Sequence, residues 1–286
     1  MKILVTGAGG FIGRHLVSSL RENHDVIAIA REPTGMDGVQ ELQIDLAQPV
    51  DLTALPARID AVIHLAQSRR YRDFPDGADD VFAVNVDSTL QLLEYARRAG
   101  AQTFLFASTG GVYGYGYEKL SETDPVDPLN FYLSSKYAAE LLIANYRRFF
   151  STIVFRFFFV YGPGQAGMLV PTLVNRVLAD ETVSIDGNPG IRINPIYVGD
   201  AVRTFEPALA LGQSGLFNIA GDEEVTLTDL VQIIGEITGR TPRIEHNDVT
   251  ADGDLVGDNR QMKDALGIRP EMLLREGLAR IADSAQ

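Results

Sequence analysis

A glycine-rich turn between a short apolar strand and a helical segment constrains this chain most. After the run Lys2–Thr6 the sequence reads Gly7-Ala8-Gly9-Gly10-Phe11-Ile12-Gly13 and continues with apolar residues at helical spacing. Such glycines permit a tight turn, let backbone amides approach a pyrophosphate and allow close packing of helix on strand. A glycine turn without a ligand is the alternative, but the position of this motif predicts a dinucleotide site. The residues expected at the dinucleotide are Gly7, Gly10, Phe11, Ile12 and Gly13.

The rest of the chain indicates an α/β fold. Short apolar runs alternate with helix-like segments, which is the pattern of βαβ units and a parallel sheet. The predicted strands are Lys2–Thr6, Val26–Ala30, Gln40–Ile44, Ala61–His64, Thr103–Ala107, Ile153–Phe158 and Leu216–Ile219. The predicted helices are Gly13–Leu20, Val81–Ala99 and Ser134–Phe149. We therefore expect a Rossmann-type, doubly wound parallel sheet.

The strand and helix pattern loosens after Tyr161-Gly162-Pro163-Gly164. A chain of 286 residues is long enough for one large α/β domain and a smaller lobe. We expect a dinucleotide-binding domain over residues 1–162, to which residues 193–221 return. Residues 163–192 and 222–286 are expected to form a smaller C-terminal substrate-binding lobe.

Composition excludes several classes of function. The formal net charge of −13 disfavours nucleic acid and anionic membrane surfaces as partners. The chain has no cysteine, and its four histidines show no metal-ligand spacing, so neither thiol chemistry nor a metal is expected. The N-terminal apolar run is too short for a signal peptide, and no stretch reaches the roughly 18 to 20 apolar residues of a membrane span. These features predict a cytoplasmic protein.

The end of the second strand bears on the choice of cofactor. An Asp or Glu there accepts from the adenosine ribose and selects NAD, but here the strand runs into Ala30-Arg31-Glu32-Pro33. Arg31 can pair with a 2′-phosphate, assisted by Arg14. Alternatively, Arg31 is solvated and Glu32 or Asp45 handles the ribose. We expect NADP or NAD, with NADP(H) favoured, and we expect Asp45-Leu46 beside the adenine.

Tyr132-Leu133-Ser134-Ser135-Lys136 places a phenol and an ammonium four residues apart, on one face at the start of a predicted helix. A tyrosine with a pKa near 10 is a poor base at neutral pH, but an adjacent ammonium and an oxidised nicotinamide favour the phenolate. Tyr132 can then exchange a proton with a substrate hydroxyl or carbonyl while hydride passes to or from the nicotinamide. The spacing is common by chance on amphipathic helices, so its interpretation depends on the surrounding motifs.

Ser108 and Thr109 end a predicted strand, at the edge where open α/β sheets bind ligands. Thr109 can hydrogen-bond the reacting oxygen, although a plain strand-ending turn is the alternative.

Together these motifs resemble the extended short-chain dehydrogenase/reductase superfamily, in its NAD(P)-dependent nucleotide-sugar epimerase/dehydratase branch. The resemblance covers nearly the whole chain, including Ile63-His64-Leu65-Ala66 and the stretch Arg156 to Gln165. It implies that Thr109 is the catalytic Thr and contacts substrate, that Tyr132 is the acid/base and that Lys136 binds the nicotinamide ribose. It also implies further cofactor contacts at Leu65, Ala66, Asn85 and Ser108, a substrate contact at Arg192, and a homodimer formed through the helices Val81–Ala99 and Ser134–Phe149.

The sequence departs from this family pattern in places. The acid pair that follows the Thr in 4,6-dehydratases is replaced by Gly110 and Gly111, which disfavours that elimination. The usual Asn before Val-Tyr-Gly is Phe159, and an expected Arg is missing from Thr250–Asp254; both changes affect contacts to a nucleotide diphosphate. Arg69 and Arg70, in the loop after the fourth strand, can compensate or can be a solvated pair.

Several functions therefore stay open at this point. The leading hypothesis is a sugar epimerase or 4-ketoreductase that acts on a nucleotide-activated small-molecule sugar by hydride transfer at a ring carbon. Arg31 favours the reductase, whereas the family resemblance favours the epimerase. A second hypothesis is an NADPH-dependent reductase of a non-nucleotide carbonyl, similar to the flavonol-reductase-like branch. A third is a dinucleotide-sensing protein without activity, against which the intact Thr109, Tyr132 and Lys136 argue.

Overall fold

The computed structural model describes residues 1–249 and 253–284 and contains a seven-stranded central sheet. The strand order is β11-β6-β5-β4-β1-β2-β3, and β3, β2, β1, β4 and β5 pair in parallel registers. The strands are β1 Lys2–Thr6, β2 Asp25–Ala30, β3 Gln40–Gln43, β4 Ala61–His64, β5 Thr103–Thr109, β6 Ser151–Phe157, β7 Val160–Tyr161, β8 Thr182–Asp186, β9 Arg192–Ile193, β10 Ile196–Tyr197, β11 Gly215–Ile219, β12 Val225–Thr226 and β13 Arg243–Asn247. The predicted Rossmann-type α/β fold is confirmed.

Ten α-helices lie in the described part of the chain. They are α1 Phe11–Leu20, α2 Ala78–Phe82, α3 Ser88–Ala99, α4 Phe131–Ala144, α5 Leu169–Leu178, α6 Val198–Arg203, α7 Phe205–Leu209, α8 Leu227–Thr238, α9 Arg260–Leu266 and α10 Leu274–Ser284. A five-residue π-helical turn, Ala83–Asp87, joins α2 to α3.

The strands of the sheet centre are apolar over most of their length because both faces of a parallel sheet are covered. Ile3, Leu4 and Val5 of β1 are fully buried, and every residue of β4 is buried. The chain runs from β1 outward through β2 and β3, and it then returns to β4 on the other side of β1. This reversal creates a crevice at the carboxyl ends of β1 and β4, where ligands of open α/β sheets bind.

All three predicted helices begin earlier than predicted, and two also differ where side chains bond to helix carbonyls. The predicted helix 134–149 ends at Ala144, where the Asn145 amide donates to the Leu141 carbonyl at 2.7 Å. The predicted helix 81–99 contains a π-helical turn in place of α-helix at Ala83–Asp87, and there the Thr89 hydroxyl donates to the Asn85 carbonyl at 2.8 Å. Such side-chain bonds compete with the backbone pattern of an α-helix.

The chain divides into two compact units. The first contains residues 1–112, 126–156 and 205–217, and the second contains residues 113–125, 157–204 and 218–286, of which the structure describes all but 250–252 and 285–286. The second unit has its own apolar core, in which buried residues of α5, α8 and α10 pack together. Its parallel strand pairs are β8 with β13 and β7 with β10.

Candidate active site

The glycine turn closes tightly on the crevice in the first unit. Gly7 adopts a positive φ of 69°, and a Cβ at this position would lie 2.8 Å from the Ala66 nitrogen. A Cβ on Gly13 would overlap the Gly7 carbonyl oxygen. The Gly10 amide donates to that carbonyl at 2.9 Å, and Gly10 caps α1 without any side-chain bond. The absence of side chains leaves room for a pyrophosphate at the start of α1, so these residues fit a dinucleotide.

The end of β2 adjoins this turn and carries no acid. A Cβ on Gly9 would lie 3.7 Å from the Ala30 Cβ and 3.5 Å from the Thr34 Cγ2. The Arg14 side chain donates to the Gly9 carbonyl at 3.1 Å, which brings one guanidinium to this corner. Arg31 follows Ala30 directly, and its side chain is exposed. Arg14 therefore contributes a guanidinium at the corner where the sequence predicted a 2′-phosphate, and Arg31 is the residue that directly follows the strand end there.

Asp45 and Leu46 lie beyond the end of β3. The Asp45 carboxylate accepts from the Ala47 amide at 3.1 Å, and Leu46 is buried in the core. Of this pair, Asp45 offers a polar group to an adenine, whereas Leu46 offers only its backbone and the edge of its side chain.

A buried histidine, which the sequence analysis did not assign to the site, organises the carboxyl ends of β1 and β4. His64 Nδ1 lies 2.6 Å from the Thr6 hydroxyl, and its Nε2 lies 3.1 Å from the Thr89 hydroxyl. The Ala66 amide donates to the Thr6 oxygen at 3.3 Å. Burial, helped by the charge of Lys136, lowers the pKa of His64 to about 3, so the ring is neutral. His64 thereby fixes the strand ends that carry Gly7, Leu65 and Ala66.

Asn85 is fully buried and joins two parts of the site. Its side-chain oxygen accepts from the Ser68 amide at 3.0 Å, and its amide donates to the Ser135 hydroxyl at 2.9 Å. The Ser135 hydroxyl in turn donates to the Tyr132 carbonyl at 2.7 Å. Both ends of the Asn85 amide thus have protein partners, which makes it a support for the first turn of α4.

Tyr132 lies in that first turn, whose position Asn130 sets. The Asn130 side chain accepts from the Leu133 amide at 3.0 Å and caps α4. The Tyr132 hydroxyl donates to the Gln67 side-chain oxygen at 2.9 Å, and its ring centroid lies 5.1 Å from that of Tyr71. Burial, and to a lesser extent Tyr71, raise the pKa of Tyr132, so protein groups alone keep the phenol protonated.

Lys136 follows Tyr132 by one helical turn and is 1% exposed. Its ammonium lies 4.3 Å from the centroid of the Phe106 ring, and no group in residues 1–249 or 253–284 accepts a hydrogen bond from it. Burial lowers the pKa of Lys136 to about 7, against an opposing effect of Glu140. An ammonium without an acceptor in this position fits the hydroxyls of a bound ribose.

Beneath Lys136 lies a buried cluster that only the folded chain reveals. The Glu140 carboxylate binds the Arg156 guanidinium through two contacts of 3.1 and 2.6 Å, and it also accepts from the Ser108 hydroxyl. Glu140 and Arg156 are both buried. Ser108, predicted at the cofactor, thus directs its hydroxyl to Glu140. The four-residue spacing places Lys136 and Glu140 on one face of the helix, but no local sequence signal indicates Arg156 or Ser108 as partners of Glu140.

Thr109 ends β5 and begins the turn that contains Gly110 and Gly111. Its hydroxyl oxygen accepts from the Gly111 amide at 3.2 Å, which leaves its proton available to another acceptor. A Cβ on Gly111 would lie 2.8 Å from Leu133 Cδ2. The turn is therefore crowded at the place where a dehydratase carries a carboxylate.

Arg192 belongs to the second unit. Its Nε donates to Asp254 at 2.9 Å and its Nη1 to Glu224 at 3.0 Å, and Glu224 also binds Lys119 at 2.7 Å. Phe159, of the same unit, has a positive φ of 45°. The sequence analysis expected an arginine in the stretch Thr250–Asp254, where the chain has none. Residues 250–252 of this stretch lie outside the described residues.

Two further findings concern the described residues as a whole. None of the helices in residues 1–249 and 253–284 is both long enough and apolar enough to span a membrane. Over the same ranges, no group of three His, Cys, Asp or Glu side chains is arranged to hold a metal ion.

Comparisons with known proteins agree with this geometry. The sequence model of the NAD dependent epimerase/dehydratase family matches residues 3–220. The chain is 31% identical to an uncharacterized UDP-glucose epimerase, YtcB, of Bacillus subtilis, over 97% of this chain and 96% of the relative. It is 30% identical to the UDP-glucose 4-epimerase of Mycolicibacterium smegmatis, over 99% and 98% of the two chains. The structure of the Bacillus cereus UDP-glucuronic acid 4-epimerase with UDP-glucuronic acid and NAD aligns with a TM-score of 0.90 and 27% identity, over 99% and 98% of the two chains.

Proposed function

The chain belongs to the NAD dependent epimerase/dehydratase family, and from this membership we propose that it is a nicotinamide-dependent epimerase of a nucleotide-activated sugar. The single observation that carries the proposal is the first turn of α4, which presents Tyr132 and Lys136 beside the crevice of the sheet. The three similar proteins described above are named for UDP-sugars, which favours a nucleotide-activated sugar over a non-nucleotide carbonyl.

Tyr132 is the proposed acid/base. Its hydroxyl donates to the Gln67 side-chain oxygen at 2.9 Å, and once the phenol has lost its proton, a sugar hydroxyl that displaces Gln67 would donate to the phenolate oxygen. Tyr132 then accepts the proton of that hydroxyl as the carbonyl forms and returns it when the carbonyl is reduced. Thr109 donates a hydrogen bond to the same oxygen and holds it in place. A nicotinamide bound at this site would supply the acceptor and donor of the hydride at the sugar carbon.

Lys136 is proposed to bind the nicotinamide ribose and to favour the Tyr132 phenolate. Protein groups alone raise the pKa of Tyr132, so the stabilisation of the phenolate must come from the Lys136 ammonium together with the positive charge of an oxidised nicotinamide. Glu140 opposes the loss of the Lys136 proton. The Glu140 cluster therefore supports catalysis by favouring the charged form of Lys136, without contact to the substrate.

For the cofactor we propose NADP(H). β2 ends at Ala30 beside the Gly9 corner, Arg14 binds the Gly9 carbonyl, and Arg31 directly follows Ala30, so these two arginines are the residues proposed to pair with a 2′-phosphate. The similar Bacillus cereus structure contains NAD, so a measurement on this chain is needed to test the preference.

An epimerase retains its cofactor through the catalytic cycle, whereas a ketoreductase exchanges it, and the two use the same residues. The absence of an acid at Gly110 and Gly111 argues against a 4,6-dehydratase, because that elimination uses an acid pair directly after the Thr. Mass spectrometry of small molecules released on denaturation tests the proposal. Stoichiometric dinucleotide in the purified protein supports an epimerase, and an empty protein that then binds NADPH contradicts the epimerase in favour of a ketoreductase.

We also propose a homodimer formed through α3 and α4. Large apolar side chains are exposed on these helices, with Leu90 40% and Leu141 53% exposed. Exposed apolar surface on adjacent helices is typical of an interface between subunits.

A further inference from the structure

The loop 67–77, which follows β4, brings one side chain into direct contact with the proposed acid/base. The Tyr132 hydroxyl donates to the Gln67 side-chain oxygen at 2.9 Å. Within residues 1–249 and 253–284 this is the only hydrogen bond that either side chain makes. The Gln67 amide therefore lies beside the phenol oxygen, in the position that the reacting sugar hydroxyl is proposed to take.

A buried side chain, Asn85, holds the two partners at this distance. Its oxygen accepts from the amide of Ser68, the residue after Gln67, at 3.0 Å. Its nitrogen donates to the Ser135 hydroxyl at 2.9 Å, and that hydroxyl donates to the Tyr132 carbonyl at 2.7 Å. The loop and the first turn of α4 are thus fixed to each other by bonds that do not involve the Gln67 side chain. A substitution at Gln67, which is exposed, is therefore expected to change its contact with Tyr132 rather than the fold of the loop.

The titratable groups of the first unit that face Tyr132 are Tyr71, from the loop, and Lys136, from α4. The Tyr71 ring lies 5.1 Å from the Tyr132 ring, and the Arg72 guanidinium lies 5.2 Å from the Tyr71 ring, behind it. Lys136 follows Tyr132 by one helical turn. Among the described residues, none of these three side chains is hydrogen-bonded to the Tyr132 oxygen, whereas Gln67 is. The orientation of the Gln67 amide therefore acts on the Tyr132 proton at first hand.

A glutamine amide can bond to a phenol in either protonation state. Its oxygen accepts from the protonated phenol, which is the contact seen here. A half-turn about the terminal torsion, whose preference is roughly two-fold, brings the NH2 group to nearly the same place, where it can donate to a phenolate. A hydrogen bond to a charged group is roughly twice as strong as a neutral one. An amide that can turn therefore favours the phenolate, when compared with a side chain that has no donor.

We propose that Gln67 is a positioning residue that keeps Tyr132 hydrogen-bonded in both protonation states, accepting from the phenol and, after its amide turns, donating to the phenolate. The inference rests on the proposed function and deepens it, because it names the residue that prepares the acid/base before the sugar arrives. Lys136 and an oxidised nicotinamide supply the positive charge that favours the phenolate, and Gln67 supplies the local donor. A sugar hydroxyl then takes the place of the Gln67 amide.

The test is an ultraviolet titration of tyrosinate in protein loaded with the oxidised dinucleotide, NADP⁺ or NAD⁺, without sugar. Subtraction of the same titration of the Tyr132→Phe protein isolates the signal of Tyr132. Gln67→Met keeps a side chain of similar length but has no donor, so we expect the pKa of Tyr132 to rise by about one unit, which lowers the phenolate fraction about tenfold at neutral pH. Gln67→Glu keeps only acceptor oxygens and should raise this pKa at least as far.

Gln102→Met is the matched control, because it makes the same exchange at another exposed glutamine of the first unit, and it should leave the pKa of Tyr132 unchanged. A pKa that stays the same in Gln67→Met overturns the inference. A lowered pKa also overturns it, since Gln67 would then act only as the acceptor of the phenol proton. In both cases the proposed function stands as long as Tyr132→Phe loses turnover. If the protein binds neither dinucleotide, the proposed function and the inference fall together.

Discussion

At the scale of single residues, the Tyr132 hydroxyl is the group on which the proposed chemistry depends most. Tyr132→Phe keeps the ring beside Tyr71 but removes the proton that is exchanged, so we expect turnover of the nucleotide sugar to fall by about 10²–10⁴-fold. Cofactor affinity should stay within a few-fold. Steady-state assays and cofactor titration check both numbers, with Tyr137→Phe on the same helix as the control. Near-normal turnover in Tyr132→Phe would assign the acid/base role to another group.

Arg31 decides the cofactor prediction. Arg31→Asp replaces the guanidinium with a carboxylate that accepts from the ribose hydroxyls and repels a 2′-phosphate. We expect the ratio of the NADP(H) to NAD(H) dissociation constants to rise by about tenfold or more in favour of NAD(H), as measured by fluorescence titration. Arg58→Asp, another exposed site of the first unit, makes the same change in charge and should leave the ratio unaltered. An unchanged ratio in Arg31→Asp would mean that Arg31 does not face the 2′ position.

Lys136 makes stability depend on pH. Its pKa is lowered by burial from 10.5 to about 7 in the folded chain. Below pH 7 both folded and unfolded states bind the proton, and folding carries the full cost of burying the ammonium. Between pH 7 and 10.5 the unfolded state binds more protons, so the free energy of unfolding rises with pH in this window.

Lys136→Met removes that cost. The variant should be more stable than the parent by an amount on the order of a few kcal/mol at pH 6, and the difference should close as pH approaches 10.5. Urea unfolding of the cofactor-free proteins at several pH values measures this difference. A difference that is constant with pH would show that Lys136 is not buried in its charged form.

At the scale of secondary-structure elements, Glu140 ties α4 to β5 and β6. Its carboxylate binds Arg156 and Ser108, both in strands of the sheet. Glu140→Gln leaves the buried guanidinium without its counter-charge, and we expect the free energy of unfolding to fall by about 3–5 kcal/mol. Chemical denaturation tests this value. Glu236→Gln is the control because the pair of Glu236 with Arg275 is exposed, and it should lower the free energy of unfolding by less than about 1 kcal/mol. Equal losses of unfolding free energy at both sites would contradict the role given to Glu140.

The elements show which features a sequence can predict. The glycine turn and β1 could be predicted because their signals are local. The lack of side chains in the turn, and the spacing of apolar residues every 2 residues in a strand or every 3.6 in a helix, can be seen within a few residues of sequence. The end of α4 at Ala144 did not follow, since it depends on one bond from the Asn145 side chain. The Glu140 cluster and the docking of loop 67–77 on Tyr132 depend on residues far apart in sequence, and no local pattern specifies such pairs.

At the scale of the whole molecule, the proposed homodimer depends on exposed apolar surface of α3 and α4. Leu141→Glu places a charge in the proposed interface and should convert dimer to monomer, as measured by sedimentation velocity. Leu273→Glu is the control, because Leu273 is 56% exposed and lies in the second unit. A wild-type protein that sediments as a monomer, or a Leu141→Glu variant that stays dimeric, would contradict the proposed interface.

The division of the first unit into three separate stretches of sequence affects its biosynthesis. β11, the outermost strand beside β6, is encoded after residues 113–125 and 157–204 of the second unit have been translated. A ribosome adds about 5–20 residues per second, so β6 stays an open sheet edge for several seconds during translation. The nascent chain is therefore exposed to pairing with neighbouring chains until residue 219 has left the ribosomal tunnel. The sheet that carries the dinucleotide crevice becomes complete only then, late in the synthesis of the chain.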